Sequence, residues 1–420
     1  MTAPDEAPGS ADNLGLGRTL RALGPSIFLP TMVYQIGTGA IAPVIALTAI
    51  DVGASPALAG FMVAMLGIGR IVGDIPASWL AEHIGDRRSM IAAAALDIGA
   101  LVVCVFAGAA IPLAIGLLLI GISSATFNLP RQSYLTEMVP IRYRARAMST
   151  LAGSHRIGLF IGPFAGALVI SLTDLKGAYL VAILAAAVSA TLLLTIPDVS
   201  VPKGQEPTIR GTVTTREIVK SHWRLFVSLG AAILAVAAVR GARQTVLPLW
   251  SDHLGLSATQ TSIIFGIASA VDISMFYPAG KVMDKFGRLA IGIPSMIILG
   301  GSMIVLPFTS GVTSLTIVAM IMSLGNGIGA GIMLTLGADA APVVGRLRFF
   351  GVWRILSDSG NAAGPVIVAV VAVITSLAAG IIVTGAVGLL AAFALAVSVP
   401  KYAPRGTSQH RSPTSEPDRA

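Results

Sequence analysis

Apolar stretches of some twenty residues recur along this chain, near 26–50, 57–80, 89–108, 112–134, 147–171, 177–196, 225–250, 259–280, 289–309, 313–337, 349–375 and 377–399. Each is long enough to cross the hydrocarbon core of a bilayer as a helix, which takes about 20 residues. No water reaches a backbone amide in that core, so a spanning segment must satisfy its own hydrogen bonds, and runs this uniformly apolar do so as helices. Composition agrees, since 55% of the 420 residues are hydrophobic and only 11% are charged. The expected fold is all-α: a multi-pass membrane protein of twelve transmembrane helices, numbered spans 1 to 12 in chain order.

The 28 Lys and Arg leave a net charge of +8, which by itself would suit nucleic acid, but their positions follow the alternation of the loops. With the N-terminus inside, the cytoplasmic segments collect Arg18, Arg21, Arg87, Arg88, Arg131, Arg142, Arg144, Arg146, the cluster from Lys203 to Arg224, Lys281, Lys285, Arg288, Arg346, Arg348 and the tail. The outer loops hold Lys176 alone. This positive-inside pattern predicts a plasma (inner) membrane protein with both termini cytoplasmic, and a lipid bilayer rather than nucleic acid as its partner. The first twenty residues lack the basic head, apolar core and cleavage site of a signal peptide, so the first span is expected to stay.

Cys104 is the only cysteine and falls in a span, where it reads as a small packing residue. His83, His155, His222, His253 and His410 are scattered without metal-ligand spacing. Neither a Gly-x-Ser-x-Gly elbow nor a Walker-type phosphate loop occurs. The expectation is a protein that is not an enzyme, binds no metal or cofactor, and is not driven by ATP.

Residues 197–224 are polar and charged and separate six spans from six. The chain thus divides into a cytoplasmic N-terminal segment (1–25), a six-helix bundle (26–196), a cytoplasmic linker (197–224), a second six-helix bundle (225–400) and a tail of disordered composition (401–420). Sliding the first bundle onto the second by 202 positions aligns Pro76 with Pro278, Gly85 with Gly287, Pro140 with Pro342, and Arg144 with Arg346. Gly158, Gly162 and Pro163 fall on Gly360, Gly364 and Pro365 in the same register, and the acids Glu82 and Glu137 on Asp284 and Asp339. Two six-helix bundles in the same orientation form the parallel repeat of a rocker-type secondary transporter, with its substrate site near the midplane between them.

In this register the chain resembles the major facilitator superfamily over residues 20–400, and more specifically its twelve-span drug/proton antiporters. "GKVMDKFGR" (280–288) is similar to that family's Gly-x-x-x-Asp-Arg/Lys-x-Gly-Arg loop motif at Gly280, Asp284, Lys285, Gly287 and Arg288. The corresponding first-half loop, "SWLAEHIGDRR", departs from it at Ser78, Glu82 and His83 but keeps Gly85 and Arg87. The resemblance implies a conformational lock on the cytoplasmic face, in which Glu82, Arg87, Asp284 and Arg288 pair with helix ends and with Glu137, Arg144, Asp339 and Arg346.

Charges inside the spans cost at least about 2.5–3.5 kcal/mol each on insertion scales, so each is expected to face the bundle interior and to have a partner. "GRIVGDIP" places Arg70 and Asp74 one helical turn apart in span 2, and "RILSD" does the same for Arg354 and Asp358 in span 11. The shift of 202 exchanges Arg70 with Asp272 and Arg156 with Asp358. In the family fold span 2 packs on span 11 and span 5 on span 8. The resemblance therefore implies an inter-half charge ladder with Asp74 on Arg354, Arg70 on Asp358, and Arg156 on Asp272. Such a ladder is either a structural clamp or the proton-coupling device, because a carboxylate separated from its arginine takes up a proton more readily.

The inner helices of the family fold nominate Tyr34 and Gln35 (span 1), Asn128 (span 4), Arg240 and Arg243 (span 7) and Asn326 (span 10) as cavity residues. Facing the cavity, the arginines favour an anionic or acceptor-rich solute; near the outer end of span 7 they would instead pair with Asp51, Asp252 or a carbonyl. "GLFIGPFAG" (158–166) resembles the span 5 motif of the family's antiporters at Gly158, Gly162, Pro163 and Gly166, with small-residue packing as the alternative. The leading functional reading is a proton-coupled exporter of small organic compounds or drugs, working by alternating access as a monomer. A proton symporter or uniporter of an anionic metabolite stands beside it, and a sensor that keeps the fold without transport follows.

Overall fold

The computed structural model describes residues 24–138, 141–195, 214–342 and 344–402. Most of the expected N-terminal segment, linker and tail lies outside the described residues. Twelve helices among those described have the length and apolarity of membrane spans. In the first half they are span 1 (Leu29–Asp51), span 2 (Pro56–Asp74), span 3 (Asp86–Val105), span 4 (Ala110–Arg131), span 5 (Ala147–Leu172) and span 6 (Lys176–Thr195). The second half contributes span 7 (Trp223–His253), span 8 (Ala258–Met283), span 9 (Leu289–Phe308), span 10 (Val312–Ala340), span 11 (Arg348–Ile374) and span 12 (Leu377–Tyr402).

Several helices outrun their apolar stretches or break within them, for local reasons. The helix of span 4 continues to Met138 and that of span 2 to Ile84. Span 1 is interrupted between Ile41 and Ile45, where Pro43 has no N–H to give the preceding turn. The end of the linker is helical: Thr215–Ser221 starts at a capping box in which Thr214 and Glu217 each satisfy the other's backbone N–H. This short helix then leads into span 7.

The repeat read from the sequence is a repeat in space. Span 1 packs on spans 5 and 6, span 2 on span 4, and span 3 on spans 4 and 6. The second half copies each of these contacts, with span 7 on spans 11 and 12, span 8 on span 10, and span 9 on spans 10 and 12. Gly85 and Gly287 occupy the same structural position. Each ends its helix at φ +86 or +87, a conformation nearly closed to residues with a Cβ.

Two seams join the halves, span 2 against span 11 and span 5 against span 8. Toward the end of the bundle away from the termini both seams are tight. A Cβ on Gly67 would lie 2.8 Å from the Ala362 Cα, and one on Gly266 would lie 2.7 Å from the Phe164 ring. Leu249 of span 7, 1% exposed, joins the first half's hydrophobic cluster beside Ile41, Val44 and Ile45. Apolar packing thus seals this end, and the charged side chains lie deeper along the seams.

Candidate functional site: a charged layer between the halves

Asp272 lies near the middle of the span 8 helix and is the best-satisfied charge of the layer. Arg156 Nη1 of span 5 stands 3.1 Å from its Oδ2, and Asn326 Nδ2 of span 10 donates to its Oδ1 at 2.7 Å. The guanidinium of Arg156 also lies 4.4 Å from the centre of the Phe276 ring, a cation–π contact. Asn326, read as a cavity or packing residue, is thus the second ligand of Asp272.

The other seam is built differently. Arg354 Nη2 approaches Asp74 Oδ1 at 3.1 Å across the halves, and its Nε approaches Asp358 Oδ2 at 3.6 Å along its own helix. The expected pair of Arg70 with Asp358 is absent, and Arg70 Nε is buried with no hydrogen-bond partner. The reason is local geometry: Arg354 stands one turn from Asp358 on the same helical face and reaches it without crossing the seam. One guanidinium serves two carboxylates, while Arg70 stays within electrostatic reach of Asp74 with its Nε unpartnered. The pseudo-symmetry is broken here, because the positions equivalent to Asp74 and Arg354 are Phe276 and Ala152, which cannot pair.

Arg240 and Arg243 lie inside the second half. Arg240 Nη1 donates to the Gly329 carbonyl at 3.0 Å, where span 10 is interrupted. Arg243, 8% exposed, donates through Nη1 to Ser323 Oγ at 2.6 Å and lies 5.7 Å from the Phe265 ring. Their hydrogen bonds go to span 10, so the carbonyl alternative is met by Arg240, while Asp51 and Asp252, both exposed, take neither arginine. Neither guanidinium has a carboxylate partner among the described residues. Both stand within electrostatic reach of Asp272 and Arg156.

The other nominated cavity residues are held inside the first half. Tyr34, 3% exposed, stacks on Phe127 at 4.0 Å and shares a hydrogen bond with Ser123. Asp97, 7% exposed, lies beside both of these hydroxyls. Gln35, 2% exposed, sits against Gly158 of span 5. Asn128 spends its amide on Ser124 and leaves its Oδ1 buried without a partner.

Of the expected cytoplasmic lock, the described contacts run within each half. Arg288 grips Asp339 through Nε at 2.9 Å and Nη2 at 3.4 Å, and Arg87 donates to the Leu193 and Leu194 carbonyls at the end of span 6. Glu82 is exposed, and nothing lies close enough to Gly280 for a Cβ to meet. The side chains of Glu137, Arg144, Asp284 and Arg346 lie outside the described residues.

The span 5 motif is a packing device. A Cβ on Gly162 would come within 2.6 Å of the Gly39 Cα in span 1, and one on Gly364 within 2.6 Å of the Ala242 nitrogen in span 7. Gly158 and Gly360 repeat the relation, against Gln35 and Ala237. Gly166 makes a looser approach to Ala40, and Pro163 lies inside the same helix.

Arg131, which the loop-charge pattern groups with the cytoplasmic arginines, is 5% exposed, with Nε and Nη1 buried and unpartnered. Its helix, Ala110–Met138, is 29 residues long, which at 1.5 Å per residue exceeds the roughly 30 Å hydrocarbon core.

Twelve candidate spans in two halves with matching helix contacts, meeting at a charged layer, form the architecture of a membrane transporter fold. The profile of the Major Facilitator Superfamily matches residues 27–347 and 245–417, and the chain belongs to that superfamily. An uncharacterized MFS-type transporter of Methanocaldococcus jannaschii, MJ1560, is 23% identical over 304 residues, covering 70% of this chain and 78% of that protein. Among solved structures, a POT family transporter in complex with a thioalcohol-conjugated peptide aligns with TM-score 0.75 at 14% identity, over 92% of this chain and 96% of the other. A D-xylose–proton symporter aligns with TM-score 0.66 at 17% identity, over 92% and 98%. At these identities the structural likeness establishes the fold.

Proposed function

We propose that the protein is a proton-coupled secondary transporter that exports a small organic compound carrying a negative charge, by antiport and alternating access. The observation that carries this reading is the placement of Arg240 and Arg243. Each guanidinium donates one N–H to span 10 and has no carboxylate partner among the described residues. A planar fork of N–H donors suits a carboxylate or phosphate, and in a low-dielectric interior it disfavours a cationic drug. The ion pairs Arg156–Asp272 and Asp74–Arg354 both cross between the halves. Any rocking of the halves about the seams stretches them, and protonation of a released carboxylate is the step that ties proton movement to the change of state. The machine acts as a monomer in the plasma membrane, with both termini in the cytoplasm.

Uptake of an anionic metabolite by proton symport is the second reading. The span 5 glycines do not decide against it: the same contacts recur in span 11 and so carry no direction of transport. A host stripped of its own exporters and loaded with fluorescent cations, neutral drugs and organic anions tests both. Lowered accumulation of an organic anion, restored by an uncoupler, is the expected result. Raised accumulation that an uncoupler abolishes selects symport, and transport of cations alone overturns the assignment of the arginines.

A further inference from the structure

We propose that Arg131 is the centre of a second oxyanion subsite, in the first half, which binds the anionic group of the solute opposite Arg240 and Arg243. The inference rests on the reading of the protein as a transporter of an organic anion and adds the residues with which the first half grips it. Arg131 is 5% exposed, and both its Nε and its Nη1 lack any hydrogen-bond partner. The groups that bear on it electrostatically are Tyr34 and then another cation, Arg354. His155 lies within reach of Arg131, Arg156 and Arg70, and its Nδ1 is buried and unpartnered. Arg70 Nε is unpartnered as well. Three nitrogen-bearing side chains from spans 2, 4 and 5 thus converge with buried nitrogens unused.

Such a cluster is not explained as a fold-stabilising network, because buried polar groups of structural networks find partners and buried like charges repel. Arg354 is already committed to Asp74 and Asp358, which leaves those two acids less able to neutralise Arg131. Asp97, a buried acid of this half, lies against Tyr34 and Ser123, with its Oδ1 lacking a hydrogen-bond partner. The group that fits is an oxyanion from outside the chain, since a carboxylate or phosphate accepts two parallel N–H bonds from one guanidinium. A solute held from both sides is released from one when the halves rock, which is what alternating access requires of a midplane site.

The test uses the full chain, purified into nanodiscs of phosphatidylcholine, with succinate, benzoate and inorganic phosphate as probes. Thermal unfolding is followed for the wild type, Arg131→Gln and Arg131→Lys, and the same variants are assayed for transport in proteoliposomes. With the subsite present, a probe raises the wild-type Tm, the effect disappears in Arg131→Gln, and Arg131→Lys keeps part of it. Without probe, Arg131→Gln unfolds at the wild-type temperature or above, because an uncompensated buried charge has been removed. A merely structural arginine predicts the opposite, a lower Tm in the absence of probe. Transport of the responding anion should show a KM raised at least tenfold in Arg131→Gln. Unchanged KM and unchanged probe response in Arg131→Gln, with anion flux intact, overturn the subsite while leaving the transport reading in place; absence of any anion flux in the wild type removes that reading itself. Adding phosphatidylglycerol to the nanodiscs separates the two sources of oxyanion. Stabilisation by that lipid alone, lost in Arg131→Gln, assigns the site to a headgroup and also overturns the proposal.

Discussion

Asp272 shows how a single residue can be read correctly in one respect and incompletely in another. That it needs an arginine across the seam follows from its position in an apolar run, and Arg156 is there at 3.1 Å. That it also takes the Asn326 amide is visible only in three dimensions, since Asn326 belongs to another helix. Arg156→Gln leaves a half-buried carboxylate without its cation, which costs up to about 3 kcal/mol. The expected signature in thermal or denaturant unfolding is a large loss in Arg156→Gln that the further change Asp272→Asn partly recovers. The pair Arg70→Gln and Asp358→Asn is expected to show weaker coupling than Arg156 with Asp272, because these side chains form no ion pair and are linked only through Asp74. Strong coupling between them would mean that the second rung of the ladder forms after all.

Among the elements, spans 1 and 5, and their counterparts 7 and 11, are held by backbone approach more than by side-chain interlocking. The glycines responsible were legible as a motif, but their purpose was not, since the same spacing serves a transport signature or a tight helix contact. Position decides: Gly162 touches Gly39, and Gly364 touches span 7 in the same way. Gly162→Leu and Gly364→Leu must therefore push helices apart, at a cost of about 1–3 kcal/mol or more each. Matched losses of Tm in the two variants, beside an unchanged Gly280→Ala, are the expected outcome; no neighbour lies within reach of a Cβ at Gly280. Near-neutral behaviour of Gly162→Leu in unfolding, combined with loss of flux, would return the motif to a direct role in transport.

At the scale of the molecule, the halves meet tightly at one end and through the charged layer further in. Gly60 of span 2 and Ala369 of span 11 face one another there, with a Cβ at Gly60 only 3.3 Å from the Ala369 Cβ. That is within a few tenths of an ångström of the spacing of disulfide-linked Cβ atoms. In a Cys104→Ser background, which removes the only native cysteine, Gly60→Cys with Ala369→Cys is expected to cross-link under mild oxidation. Transport should fall to background when the bridge forms and return when a reductant opens it, as follows if this end of the seam must part in each cycle. Undiminished flux through fully cross-linked protein would exclude rocking at this seam.

The sequence by itself determined the number of spans, the two-fold repeat, the transporter superfamily and the existence of charge partners across the seams. These follow from forces that act along the chain: the bilayer demands apolar helices of a set length, and an ionised group inside them demands compensation. The tertiary structure decided which charges compensate which. Arg354 reaches Asp358 along its own helical turn and Asp74 across the seam, so Arg70 forms no ion pair with Asp358. It also decided that Arg131 is buried, with its Nε and Nη1 left without hydrogen-bond partners. Burial and pairing are properties of neighbours in space, and a helix end carries no mark of them in its own composition.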